Sequence, residues 1–320
     1  MEAEEELGVL TMAAMSKTTA VITCAGMSVM YVAILHSPTL IFQLRPPNSF
    51  NQFMIRRFIC AAFASLFCLF LSSFLLLPVE NLKITHLLAL YGIQTDHAWH
   101  ALIFPVSLTS LVYAGSVVLK CLLLLDLWNG DGIEDVQHNS LHDVYNKICC
   151  MMLSMASNVA AWRNLVVAPI TEELVFRACM IPLLLCGGFK AQVVIFFCPM
   201  FFSLAHLNHL LEFYIRKNYS LKKTSIAVGT QLAYTMIFGS YASFLFIRTG
   251  HLIAPLAAHV VCNFMGLPAV YANRKGVIVS LAFITGTVMF VRLLFPLTSP
   301  TMYQHGIDNC QCWQGYCSWS

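Results

Sequence analysis

Six residues that can do chemistry stand inside apolar runs of this 320-residue chain. Glu172, Glu173 and Arg177 lie in APITEELVFRACMIPLLL, His206 in FFSLAHLNHL, and His259 with Asn263 in APLAAHVVCNFMG. A membrane-spanning helix should carry no charge at such places. Each ionisable residue near a helix centre costs about 2.5–3.5 kcal/mol, so the first trio alone costs roughly 7–10 kcal/mol. A cost of that size points to a polar, water-reached interior and to a function that requires it.

Spacing separates the roles. Glu173 and Arg177 are i and i+4 with the acid first, the favourable order for an ion pair on a helix. Glu172 lies about 100° round the same helix, toward Phe176, with no cation of its own. The paired residues neutralise each other and leave Glu172 to move protons. Pro169 and Thr171 suggest a helix start or kink just before the glutamates, where a helix N-terminus would help hold negative charge. Phe202 and His206 share a helix face, as do His259 and Asn263. A carboxylate, two imidazoles and an amide around one cavity suit hydrolysis. One carboxylate and one imidazole can hold and deprotonate a water, while the second imidazole and the amide donate to the oxyanion of a tetrahedral intermediate.

Taken singly, each residue has a plainer reading. A lone histidine in a span is more often an interhelical hydrogen bond than a catalyst, Asn263 alone would join helices, and Glu173–Arg177 alone could be a buried structural pair. All of them together, on three separate helices, favour a functional polar site. His209 and Arg248 lie near span boundaries, where snorkelling explains them.

The elements that must position these groups are membrane helices. The chain is 58% hydrophobic and only 10% charged, with a mean hydropathy of +0.73, whereas soluble domains carry about 25% charged residues. The fold class is therefore all-α: a polytopic bundle of about eight transmembrane helices, each needing roughly 20 apolar residues, around a polar cavity. The expected spans are Thr18–Leu35, Phe58–Pro78, Ala101–Leu125, Leu165–Leu185, Val193–Leu211, Ile226–Ile247, Leu252–Ala272 and Val277–Phe295. Cys149–Ala161 is too short to cross and reads as an interfacial or re-entrant helix, and Ile84–Tyr91 as a short piece at the surface. A net charge of +3 without basic runs interleaved with aromatics excludes a nucleic-acid partner and leaves the lipid bilayer as the evident one.

The chain divides into an acidic segment at 1–17, N-terminal spans and a loop at 18–147, a membrane domain carrying the polar residues at 148–297, and a Cys-rich tail at 298–320. The start MEAEEELGVL lacks the basic region of a cleavable signal peptide, so the first apolar run reads as a retained anchor. The thirteen cysteines are spread through apolar segments as small hydrophobes. Only Cys310, Cys312 and Cys317 cluster, and they read as an unpaired tail rather than a lumenal disulfide. Arg45, Arg56 and Arg57, then Arg216, Lys217, Lys222 and Lys223, then Arg274 and Lys275 all fall on one face if the N-terminus is lumenal. Lys147 and Arg163 join that face, although Asp131, Glu134 and Asp135 dilute their loop. These cations are assigned to orientation, not to recognition.

At the polar residues the chain resembles the type II CAAX prenyl endopeptidases, the Ras-converting enzyme branch of the glutamate intramembrane proteases. Three motifs carry the resemblance: EExxxR from Glu172 to Arg177, FxxxH from Phe202 to His206, and HxxxN from His259 to Asn263. The similarity is dense from about Trp162 to Val270. It implies a multi-pass enzyme of the endoplasmic reticulum membrane, open to the cytosol, that removes the last three residues of farnesylated or geranylgeranylated CaaX proteins, Ras-type GTPases among them. Residues 148–297 would be the catalytic domain. Carried over position by position, Glu172 would be the general base, His206 its partner in activating water, and His259 with Asn263 the oxyanion hole. Glu173, Arg177 and Phe202 would support them, and no metal or other cofactor is implied.

Three rivals remain at this stage. Glu172, His206 and His259 could hold zinc, although no HExxH occurs in the chain and Asn263 would be an odd ligand. Cys179 or Cys262 could act as nucleophile, against the commoner reading of a buried apolar thiol. The carboxylates could also serve a proton relay in a transporter or scaffold, although no paired discontinuous helices or internal symmetry support that.

Overall fold

The structure, a computed structural model, describes residues 15–40, 49–80, 84–130, 153–154, 156–206, 221–270 and 276–303. The acidic start, His209, the tail cysteines, residues 149–152 and 155 of the segment Cys149–Ala161, and the cations Arg45, Lys147, Arg216, Lys217, Arg274 and Lys275 lie outside the described residues.

Every described element is helical. Helix α1 is Lys17–Leu40, α2 Phe50–Glu80, α3 Ile84–Leu90, α4 Ala98–Val112 and α5 Ala114–Gly130. Helix α6 is an uninterrupted run with two π-helical segments, made of Val159–Trp162, Arg163–Val167 (π), Ala168–Glu173, Leu174–Cys179 (π) and Met180–Cys186. Helices α7 (Ala191–Ala205), α8 (Leu221–Thr249), α9 (Ile253–Met265) and α10 (Gly276–Leu297) complete the bundle. The chain is an all-α membrane protein. Phe63, Phe70 and Phe74 on α2 and Val277, Leu281, Ile284 and Val291 on α10 are exposed, as expected of side chains that meet lipid tails rather than water.

Length sorts the helices into two groups. Among the described residues, Lys17–Pro38, Phe50–Leu76 and Gly276–Leu297 are long and apolar enough to cross a membrane, and the bent pair α4–α5 makes a fourth if counted as one span. Helices α7 and α9 have 15 and 13 residues, so each rises only about 20 Å against a hydrocarbon core of about 30 Å. The helices that bring in His206, His259 and Asn263 are thus shorter than a full span; each packs one face into the bundle and leaves apolar side chains exposed on the other, Phe196, Met200 and Leu204 on α7 and Phe264 on α9.

Several expectations are corrected. The single span Ala101–Leu125 is two helices bent by 70°. The break falls at Tyr113, whose N–H turns back to the Ser110 carbonyl and whose hydroxyl donates to the Gly266 carbonyl at 2.7 Å. Ile84–Tyr91 does not lie at the surface: Leu90 and Tyr91 are buried, and the Tyr91 hydroxyl meets Ser72 and Ser73 on α2. Arg248 does not snorkel, being buried with its guanidinium over Phe244 and Phe295 and an Nη2–H donated to the Phe295 carbonyl. No helix begins at Pro169 either. The proline cannot donate the bond that would reach the Leu165 carbonyl, and the π segment immediately before it absorbs the defect, so α6 runs on through the glutamates. The helix N-terminus expected to hold their charge is therefore not there.

Close backbone approach holds the inner helices together. A Cβ on Gly239 of α8 would stand 2.8 Å from Pro199 Cβ of α7, so only glycine permits that crossing. Ser203 on α7 donates to the Leu232 carbonyl and accepts from Thr235 on α8.

Candidate active site

Helix α6 supplies the acidic groups. Glu173 and Arg177 are fully buried, and Arg177 Nη1 donates to Glu173 Oε1 at 3.0 Å. The same oxygen also receives His259 Nδ1 from α9 at 2.6 Å. A carboxylate oxygen only accepts, so Nδ1 carries the proton in that bond. The spacing argument paired Glu173 with Arg177 alone. The structure makes Glu173 the junction of an Arg177–Glu173–His259 triad across two helices.

Arg177 is satisfied in part by rings. Its guanidinium lies 4.7 Å from the Phe202 ring centre and 5.8 Å from that of Phe238, distances at which a cation is held by the ring face. Nη2 reaches the Gly239 carbonyl at 3.5 Å. Phe202 then packs edge-on against the His206 ring at 4.6 Å. His206 caps the end of α7, with Nδ1 2.8 Å from the Phe202 carbonyl. A carbonyl can only accept, so the proton is on Nδ1 and Nε2 is the nitrogen able to accept from a water.

Glu172 points elsewhere, as its angular offset predicts. It remains partly exposed, and its Oε2 lies 3.8 Å from His259 Nε2, in ion-pair range but too long for a hydrogen bond. His259 therefore lies between both glutamates, one at each ring nitrogen. Asn263, one turn on along α9, donates from Nδ2 to the Asn164 carbonyl at 2.8 Å.

A cavity of about 600 Å³ joins these groups: Glu172, Phe202, His206, His259 and Asn263 all line it. Phe50, Phe53 and Met54 of α2 and Leu35 of α1 give it an apolar wall. Glu173 and Arg177 are not part of the lining and act from behind it. Cys262 lines the cavity, whereas Cys179 is fully buried in the apolar core. Among the described residues no group of three His, Cys, Asp or Glu side chains is placed to hold a metal ion.

Several participants escaped the sequence reading. Phe238 packs 4.8 Å from the His259 ring, Asn164 accepts from Asn263 through its main chain, and the Tyr31 hydroxyl meets Thr171, one residue before Glu172, at 3.0 Å. Their residue types carry no signal of a role. Only the packing of helices distant in sequence reveals them.

The sequence model of the type II CAAX prenyl endopeptidase Rce1-like family matches residues 155–265, the stretch that holds all of these polar groups. CAAX prenyl protease 2 of Arabidopsis thaliana is 53% identical over 305 residues, covering 95% of this chain and 97% of that protein. The chain belongs to the type II CAAX prenyl endopeptidase family. It is accordingly a membrane protease. CAAX prenyl protease 2 of Homo sapiens is 37% identical over 227 residues, or 68% of this chain and 64% of that protein. The probable CAAX prenyl protease 2 of Schizosaccharomyces pombe is 32% identical over 172 residues, or 53% of this chain and 59% of its own length. No solved structure matches this one.

Proposed function

We propose that this protein releases the C-terminal aaX tripeptide from prenylated CaaX proteins, Ras-type GTPases among them, at the endoplasmic reticulum membrane. The observation that carries the reading is the shared cavity, in which one partly exposed carboxylate, two imidazoles and an amide face an apolar wall. Glu172, aided by Nε2 of His206, takes a proton from a water. The water oxygen bonds to the carbonyl carbon of the prenylated cysteine itself. His259 and Asn263 donate to the oxyanion. As the C–N bond breaks, the proton held by Glu172 passes to the leaving amine, giving a free tripeptide and a new carboxylate on the cysteine.

The positioning of His259 supports its part in this scheme. The Glu173 carboxylate bonded to Nδ1 fixes the ring so that Nε2 faces the cavity and Glu172; a proton on Nε2 is the donor an oxyanion needs. The apolar wall suits a farnesyl or geranylgeranyl chain. Cytosolic access is supported by Arg57 and Arg163, two of the orienting cations, which lie on the cavity wall. Microsomes containing the protein should release the tripeptide from a farnesylated CaaX peptide and not from its unprenylated counterpart. Undiminished cleavage by Glu172→Ala or His206→Ala would sink the assignment of roles.

A further inference from the structure

Two arginines line the same cavity, Arg57 from α2 and Arg163 from the first π segment of α6. The other charged or imidazole groups lining it among the described residues are Glu172, His206 and His259. Arg163 is tethered there: its Nε donates to Asn164 Oδ1 at 2.8 Å, and the Asn164 carbonyl is the group that Asn263 holds. Arg57 lies with its guanidinium 5.7 Å from the Phe53 ring centre. One cation is thus tied to the backbone unit that fixes Asn263, and the other faces the cavity from the opposing helix.

The placement of Arg163 depends on the π segment. In a regular α-helix the nine positions from Arg163 to Glu172 make two and a half turns, which would set the two residues about 180° apart. The wider turn over Arg163–Val167 changes that phase, and both residues reach one cavity. Along the axis they are separated by about 13 Å at the α-helical rise. Three extended peptide residues span about 10 Å. An arginine side chain directed along the cavity covers the difference.

We propose that Arg57 and Arg163 form a carboxylate subsite that receives the free C-terminus of the substrate while Glu172 stands at the scissile bond. The inference rests on the function proposed above and concerns the other end of the same substrate. An endopeptidase that always releases three residues needs a fixed point at the chain end, and two guanidinium groups supply one. Their planar forks match a carboxylate in charge and shape, which a lysine does not. The orienting role read from the sequence is then a second use of the same charges.

The full-length protein in liposomes decides this with two farnesylated CaaX peptides, one ending in the free acid and one in the carboxamide. The wild type should favour the acid by about 10- to 100-fold in kcat/KM, the range for losing a hydrogen bond to a charged group. The double variant R57Q/R163Q, provided it keeps the wild-type melting temperature, should bring the acid-to-amide ratio close to one. R163K, which keeps the charge and loses the fork, should give an intermediate ratio. Equal wild-type rates on acid and amide would overturn the proposal and leave the arginines as partners of lipid headgroups. So would a double variant that slows both peptides but keeps the ratio. If the wild type does not cleave even the free acid, the proposed function itself fails and the subsite with it, an outcome distinct from cleavage without preference.

Discussion

His259 Nδ1 stands 2.6 Å from Glu173 Oε1, the same oxygen that Arg177 contacts at 3.0 Å. A single buried oxygen therefore holds one residue of its own helix and one from a helix that follows 86 positions later. The second glutamate of the pair acts by fixing the imidazole that faces the first.

Glu173→Gln should damage fold and activity together. It leaves the Arg177 charge buried without its partner, a loss of about 3–5 kcal/mol, and frees the His259 ring to turn. Glu172→Gln, at a partly exposed position, should abolish cleavage with little change in melting. Thermal unfolding in detergent beside the peptide assay separates the two. Equal destabilisation by both variants would contradict this division.

His259→Ala and Asn263→Ala should each reduce kcat by about 10²–10³-fold, the loss seen when one oxyanion donor is removed. Because Asn263 also supports the Asn164 carbonyl, Asn263→Asp is the sharper variant. It keeps the shape but replaces the donating amide with an acceptor, and it should be no better than alanine. Steady-state kinetics on the farnesylated peptide checks both.

Activity should survive a chelator and the loss of thiols. Cys179 is sealed in the core and Cys262 is the only one of the two on the cavity wall, so Cys179→Ala with Cys262→Ala should retain cleavage. Inhibition by the chelator, reversed by added zinc, would restore the metal reading.

His251, between α8 and α9, should make the fold sensitive to mild acid. The residue is fully buried, and neither ring nitrogen has a partner among the described residues. Burial lowers its pKa, nearby His97 lowers it further, and Asp96 opposes them in part. The folded state therefore binds the proton less readily than the unfolded chain, whose histidine titrates near about 6.5. Stability contributed at this position is present above that value and is lost as the pH falls through and below it. Melting temperatures between about pH 7.5 and 5.5 should decline in the wild type and decline less in His251→Phe.

Much of the site was legible in the sequence because polar residues in apolar helices are conspicuous and i, i+4 spacing is a local rule. Glu173 with Arg177 and His259 with Asn263 met on those grounds. The link from Glu173 to His259 was not legible, since it depends on how α6 and α9 pack. Nor was the phase of Arg163, because a π segment leaves the residue order intact while changing which face each residue occupies. The same limit explains the fold. Hydropathy marked the apolar segments well, yet it joined α4 to α5 because Tyr113 is itself apolar enough to continue a run. It also put Ile84–Tyr91 at the surface because the Tyr91 bonds to Ser72 and Ser73 leave no local trace.

The tie between Glu173 and His259 also bears on how the protein is made. When α6 leaves the ribosome, the residue that completes its buried triad has yet to be synthesised. At about 5–20 residues per second, the 86 positions between them take roughly 4–17 s. For that interval a helix bearing Arg163, Glu172, Glu173 and Arg177 has only its internal Glu173–Arg177 pair to lower the cost of leaving water. Its final seating in the bilayer must wait for α9, so a ribosome stalled before His259 should leave α6 open to aqueous labelling reagents that the finished protein excludes.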